Sequence, residues 1–197
     1  MTSKTTGKHR VIQTDYAKYH QLEDYLLREV AGQFRKNKKL SAFEFFSIVV
    51  WKANRSKSRV AARMLAKRPG GLQFAVTSLT RAIASAPTPK ERLRILIEDW
   101  GLRLPMATAI LTILYPDEFT IYDVRVCGSL GGFHHLKNPK KFETLWTQYL
   151  DFKAAVIAAV PHERRLRSKD RYLWGKSFEQ QLKEDIKSGF ASDDDKA

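Results

Sequence analysis

The chain has 197 residues, with 35 Lys and Arg against 21 Asp and Glu, for a formal charge of +14. That length suits one domain able to bury a true core, and that charge favours a polyanionic partner, nucleic acid first. No run approaches the roughly 20 apolar residues of a membrane span, the start MTSKTTGKHR has no hydrophobic segment behind it and does not read as a signal peptide, and the single cysteine, Cys127, excludes a disulfide framework or a cysteine-rich metal site. The expected setting is cytoplasmic, with no membrane partner, no metal and no cofactor.

Residues 1–12 are polar and basic and are expected to be loose, as is the tail 189–197. Between them, 13–188 reads as one two-lobed, all-α domain. Tyr16, Tyr19, Leu22, Leu26 and Val30 recur at helical spacing and run into the basic cluster RKNKK at 35–39. Ser41 followed by Glu44 is a capping box for a helix through FEFFSIVVWKAN. A helix over about 57–67 is stopped by PGG at 69–71. Helices follow at Leu72–Ala84 and Pro89–Trp100, the second with Thr88 as N-cap and Pro89 at its first position.

Met106–Tyr115 is apolar enough for a buried helix, ended by Pro116. FTIYDVRV has the composition of a strand but no segment to pair with, so the reading is an extended lead-in to about Ile121 and then a helix capped by Asp123. Pro139–Val160 holds one or two helices, with Phe142, Leu145, Trp146, Tyr149 and Phe152 on an apolar stripe. A last helix covers about Ser168–Lys187.

Three features carry chemistry. Residues 52–68 hold Lys52, Arg55, Lys57, Arg59, Arg63, Lys67 and Arg68 with no acid among them, and Arg164, Arg165, Arg167, Lys169 and Arg171 form a second basic patch. Cations interleaved with small and apolar residues suit a helix laid beside a phosphate backbone, although such a run also suits a plain solvated face. The glycine-containing turn at 101–105 sets backbone N–H groups at a helix start, where they can bind phosphate; it reads equally as an ordinary helical hairpin. Asp123 lies in an apolar setting, where a carboxylate serves either as a cap or as a charge beside a reacting centre.

The stretch from Trp100 to Leu130 resembles the helix-hairpin-helix DNA glycosylase superfamily, which includes endonuclease III and the bacterial 3-methyladenine glycosylases. Its hairpin pattern L-P-G-V-G-x-x-T-A falls with its glycine on Gly101, its following apolar residue on Leu102 and its alanine on Ala107; its catalytic aspartate falls on Asp123. The chain is more similar still to a bacterial branch of the same fold, through ATAIL, YPDEFTIYDVR and the late KDRYLW, over about 85–175, with WKANR at 51–55 extending the likeness. The pattern is broken at Arg103, which replaces the second hairpin glycine, at Pro105, where bifunctional members carry a Schiff-base lysine, at Met106, which stands for the hairpin threonine, and after Asp123, where Val124 and Arg125 follow.

The resemblance implies a helix-hairpin-helix glycosylase-like fold and a monofunctional DNA N-glycosylase. It would use Asp123 with no Schiff-base lysine and remove a damaged or modified base flipped out of duplex DNA. Gly101, Leu102, Arg103, Ala107, Lys52, Arg55 and Arg125 become candidate nucleic-acid contacts. Trp51, Tyr122, Trp146 and Trp174 become candidate linings of the base pocket. The alternative is a nucleic-acid-binding module that keeps the fold without catalysis. A cavity beside Asp123 separates the two: the enzyme needs one, and a module has Asp123 locked to an arginine in a filled site.

Overall fold

The computed structural model describes residues 15–137 and 141–190. The ends expected to be loose fall mostly outside these residues, as does the Pro139 start of the expected ninth helix. Every regular element among the described residues is helical: α1 Leu22–Tyr25, α2 Ala31–Asn37, α3 Ala42–Ala53, α4 Lys57–Lys67, α5 Leu72–Ser85, α6 Pro89–Arg94, α7 Leu104–Leu114, α8 Val124–Leu130, α9 Phe142–Ala159 and α10 Leu166–Lys187. Wide π-type turns carry α1 into α2 through Leu26–Val30 and extend α6 through Ile95–Asp99. No helix among the described residues is long and apolar enough to cross a membrane.

The helix starts follow local chemistry. Ser41 accepts from the Glu44 N–H while the Glu44 carboxylate accepts from the Ser41 N–H, a complete capping box that satisfies two otherwise orphaned donors. Thr88 caps Glu91 in the same way, with Pro89 where its missing N–H costs nothing. Asp123, in extended conformation, accepts from the Arg125 N–H and opens α8. Gly131 closes α8 at φ 69°, a left-handed C-cap that glycine reaches without steric cost.

The middle of the core is α7, buried at every residue but Pro105. It packs on α2, α3 and α6, while α8, α9 and α10 gather at the other side. Between them the chain runs extended over Thr120–Tyr122, and all three residues are buried. With no strand beside it, that segment takes its hydrogen bonds from side chains of three helices. The Tyr149 hydroxyl of α9 accepts from the Thr120 N–H at 3.0 Å and donates to the Thr120 carbonyl at 2.8 Å. Asp170 of α10 accepts from the Thr120 hydroxyl and the Ile121 N–H, both at 3.1 Å. Thr108 of α7 accepts from the Tyr122 N–H at 3.0 Å.

Asp170 is 1% exposed and also pairs with Arg167 one turn earlier. Replacing Asp170 by Ala leaves the buried Ile121 N–H and Thr120 hydroxyl without that acceptor and Arg167 with Glu23 as its remaining carboxylate, which costs about 3–5 kcal/mol. Urea unfolding should show that loss. Asp170→Asn, which retains an acceptor for Thr120 and Ile121, should lose less.

Candidate functional site

A cavity of about 440 Å³ opens beside Asp123, lined by Glu23, Trp51, Lys52, Ile121, Asp123, Val126, Arg167, Asp170, Arg171 and Trp174. Four parts of the chain build it. The last turn of α3 supplies Trp51 and Lys52, and the extended segment with the start of α8 supplies Ile121, Asp123 and Val126. One face of α10 carries Arg167, Asp170, Arg171 and Trp174 at spacings of three and four, and α1 adds Glu23.

Asp123 is held by two donors. Lys52 Nζ lies 2.5 Å from Oδ2, and the Arg125 N–H donates to Oδ1 at 3.0 Å. Both side chains of the ion pair are only partly exposed, at 14% for Lys52 and 20% for Asp123. Burial alone pushes the Asp123 carboxyl up; the Lys52 charge, its hydrogen bond and the Arg125 amide outweigh that and hold it below the ordinary carboxylate range. The carboxylate is therefore anionic at neutral pH and directed at a space of ligand size.

The opposite wall is a second charge cluster. Glu23 Oε1 accepts from Arg167 Nε at 2.6 Å and Arg171 Nε at 3.0 Å. The Arg167 guanidinium lies 5.3 Å from the centre of the Trp51 ring, a cation–π contact that fixes one aromatic wall. Arg167 and Arg171 thus face carboxylates and a ring within the cavity, although their sequence neighbourhood groups them with a surface basic patch.

Of the residues singled out in the sequence, the structure brings Asp123, Lys52, Trp51 and Trp174 together. Tyr122 is not part of the lining: successive side chains of an extended segment point to opposite sides, so Ile121 and Asp123 face the cavity while Tyr122 is turned into the core, its hydroxyl on the Phe133 carbonyl. Trp146 is also absent from the lining and packs beside Tyr149 on α9. Ala107 is fully buried in α7 and offers nothing to a ligand.

Of the other candidates, Leu102 and Arg103, together with Lys52, line a smaller groove of about 190 Å³, shared with Ala53, Ser56, Arg59, Val60, Arg63, Pro105 and Met106. Lys52 belongs to both spaces. Arg103 is exposed and Leu102 is buried at the groove floor. Gly101 has φ 64°, a left-handed turn position, and its carbonyl accepts from Arg63 at 2.8 Å. The Leu102 N–H is already given to the Leu96 carbonyl and Pro105 has none, so the turn presents the N–H groups of Arg103 and Leu104 at the start of α7. α4 buries Val60 and Met64 and leaves Lys57, Arg59, Arg63 and Lys67 exposed. Arg55 is exposed in the short turn between α3 and α4. Arg125 sits over the rings of Trp174 and Phe178.

Glu23, Arg167, Asp170, Arg171, Ile121 and Val126 were not anticipated as lining residues. For the α10 set a signal existed, since Arg167, Asp170, Arg171 and Trp174 share a helical face. For Glu23 none did, because it meets Arg167 across 144 residues of sequence. No protein-family model, curated protein or solved structure matches the chain.

The lowered Asp123 carboxyl has a consequence with a definite sign. A carboxyl held below its ordinary value contributes stability above that ordinary value, and the contribution is lost as pH falls through the lowered one. Lys52→Met should therefore raise the Asp123 pKa, since the lysine charge and hydrogen bond are lost while burial still acts. Carboxyl carbon NMR titration would read the shift; an unchanged titration would mean that the pair does not control the group.

Proposed function

We propose that the protein is a monofunctional DNA N-glycosylase that removes a damaged or modified base flipped into the cavity beside Asp123. The observation that carries the reading is the cavity itself: about 440 Å³, within the range of about 300–1,000 Å³ usual for small-ligand sites, with an anionic carboxylate and two tryptophans in its wall. Asp123 is paired with a lysine at the rim of an open space, rather than locked to an arginine in a filled one, which favours an enzyme over a binding module.

The chemistry needs little more than this wall supplies. As the C1′–N bond breaks, its electron pair leaves with the base and positive charge develops on the sugar. The Asp123 carboxylate stabilises that charge or directs water to C1′, as carboxylates do at oxocarbenium-like centres in sugar hydrolysis. Trp51 and Trp174 offer ring faces to a base withdrawn from its stack, which offsets part of an unstacking cost of a few kcal/mol. Arg59, Arg63, Arg103 and the free N–H groups at the start of α7 would hold the backbone in the neighbouring groove, with the exposed cations of α4 and Arg55 extending the contact.

A second reading is favoured by one observation. Lys52, delivered by α3 and not by the hairpin, puts an amine 2.5 Å from Asp123. With a proton passed to Asp123, that amine could displace the base at C1′, the bond to the base breaking as the new C–N bond forms; opening of the sugar ring at C1′–O4′, with a proton to O4′, would then give the imine, so the absence of a hairpin lysine does not exclude covalent chemistry.

The deciding experiment incubates the protein with duplexes and single strands carrying alkylated, deaminated and oxidised bases, measures free base, and treats parallel samples with mild alkali or with borohydride. Base release with strand cleavage only after alkali is expected, reduced at least about a hundredfold in Asp123→Asn. A borohydride-trapped adduct lost in Lys52→Arg would establish the second reading. DNA binding with no base release from any substrate would instead leave a binding module. Arg63→Ala and Arg103→Ala should each lower the steepness of salt-dependent DNA affinity by about one phosphate contact.

A further inference from the structure

The outer side of α10 carries an aromatic pair with no role in the fold's core. Trp174 and Phe178, one turn apart, lie with ring planes 5° from parallel and centroids 5.6 Å apart. They are 43% and 45% exposed. Arg125 of α8 fixes them: its guanidinium carbon lies 5.3 Å from the Trp174 ring centre and 5.7 Å from that of Phe178, and Nη1 donates to Gln181 at 2.9 Å. The nearest acid along the helix, Glu179, is taken by Lys183 at 2.5 Å, so the shelf keeps the positive character of its surroundings. The two rings stack on each other and on Arg125, yet each keeps over two fifths of its surface open to water, more than that packing requires.

The shelf joins the cavity. Trp174 lines the cavity as well as forming half of the pair, and the Arg125 N–H is the donor that Asp123 caps. The first turn of α8 therefore positions both the carboxylate and the guanidinium that meets the two rings of α10.

We infer that Trp174 and Phe178 form a stacking subsite for an unpaired base next to the nucleotide held in the cavity, and that the substrate of this site is single-stranded or locally unpaired DNA rather than a fully paired duplex. This rests on the glycosylase reading for the identity of the cavity's occupant. A base inside a duplex has both faces covered by its neighbours and cannot lie on a ring, whereas every unpaired base has a face to offer. Charge complementarity points the same way: a guanidinium against the rings in a chain of net charge +14 selects a polyanion over an apolar partner. At the hairpin, Pro105 carries no N–H and the Leu102 N–H is bonded internally, which limits the donors available to a duplex backbone.

The test uses the full chain and a short oligonucleotide with an uncleavable tetrahydrofuran residue flanked by 2-aminopurine, offered as a single strand and in a perfect duplex. The single strand should bind more tightly and its 2-aminopurine fluorescence should be quenched. Phe178→Ala, which lies outside the cavity, should weaken single-strand binding on the order of tenfold with little effect on the duplex, whereas Trp174→Ala, which also removes a cavity wall, should weaken both. Phe178→Tyr, which keeps a ring and the helix, should bind as the wild type does.

Single-strand affinity unchanged in Phe178→Ala would overturn the subsite, as would an equal fall for strand and duplex in that variant. Because the probe cannot be cleaved, the two ideas fail separately. If the shelf effects hold and no base is released from any substrate, the subsite stands and the enzyme falls. If base is released from duplex as fast as from single strand, the enzyme stands and the subsite falls.

Discussion

An extended chain buried without a strand partner is an expensive thing to build. Each unpaired backbone N–H or carbonyl in the interior costs about as much as a lost hydrogen bond. Thr120–Tyr122 avoids that cost at its three N–H groups and at the Thr120 carbonyl because Thr108, Tyr149 and Asp170 reach it from α7, α9 and α10 at once. The three helices must agree in position for the segment to be satisfied, and once they do, the next residue has one place to go. That residue is Asp123. The site is therefore fixed by the interior hydrogen bonds behind it, and the carboxylate itself contributes a cap.

The same segment explains why the cavity has the lining it has. Ile121 and Asp123 face one way and Tyr122 the other, so an acid and a small apolar patch front the space while the tyrosine joins Phe152 in the core, ring centres 5.3 Å apart. α10 has two duties in this arrangement. Asp170 turns inward to hold the extended backbone, and its neighbours Arg167 and Arg171 reach across to Glu23 of α1. These partly exposed ion pairs thus brace the first helix against the last along one wall of the cavity.

Much of the fold was legible because its boundaries are set by local chemistry. Ser41 with Glu44, Thr88 with Pro89, PGG at 69–71 and Asp123 each act on atoms within a few residues, and each helix start or stop falls where they put it. The strand-like composition of FTIYDVRV was correctly set aside for want of a partner. The site was legible only in part. Asp123 stands out by being a carboxylate in an apolar run, but its partner Lys52 lies 71 residues away and reads as one cation among many. Trp146 and Trp174 carry the same weight as letters; which of them faces a cavity depends on how α9 and α10 pack. Tyr122 could have been placed in the core from the alternation of an extended segment alone.

Lys52 is the point at which charge and position meet. The capping box at Ser41 sets the start of α3, and eleven residues later the helix delivers Lys52 to the wall shared by the deep cavity and the hairpin groove. One ammonium cannot fully satisfy two anions. A phosphate entering the groove among Arg59, Arg63 and Arg103 would draw on the same charge that holds Asp123 down, and Asp123 would become a stronger acceptor as its partner is shared. Occupation of the groove and the basicity of the carboxylate are coupled through that single side chain, with no movement of the helices required.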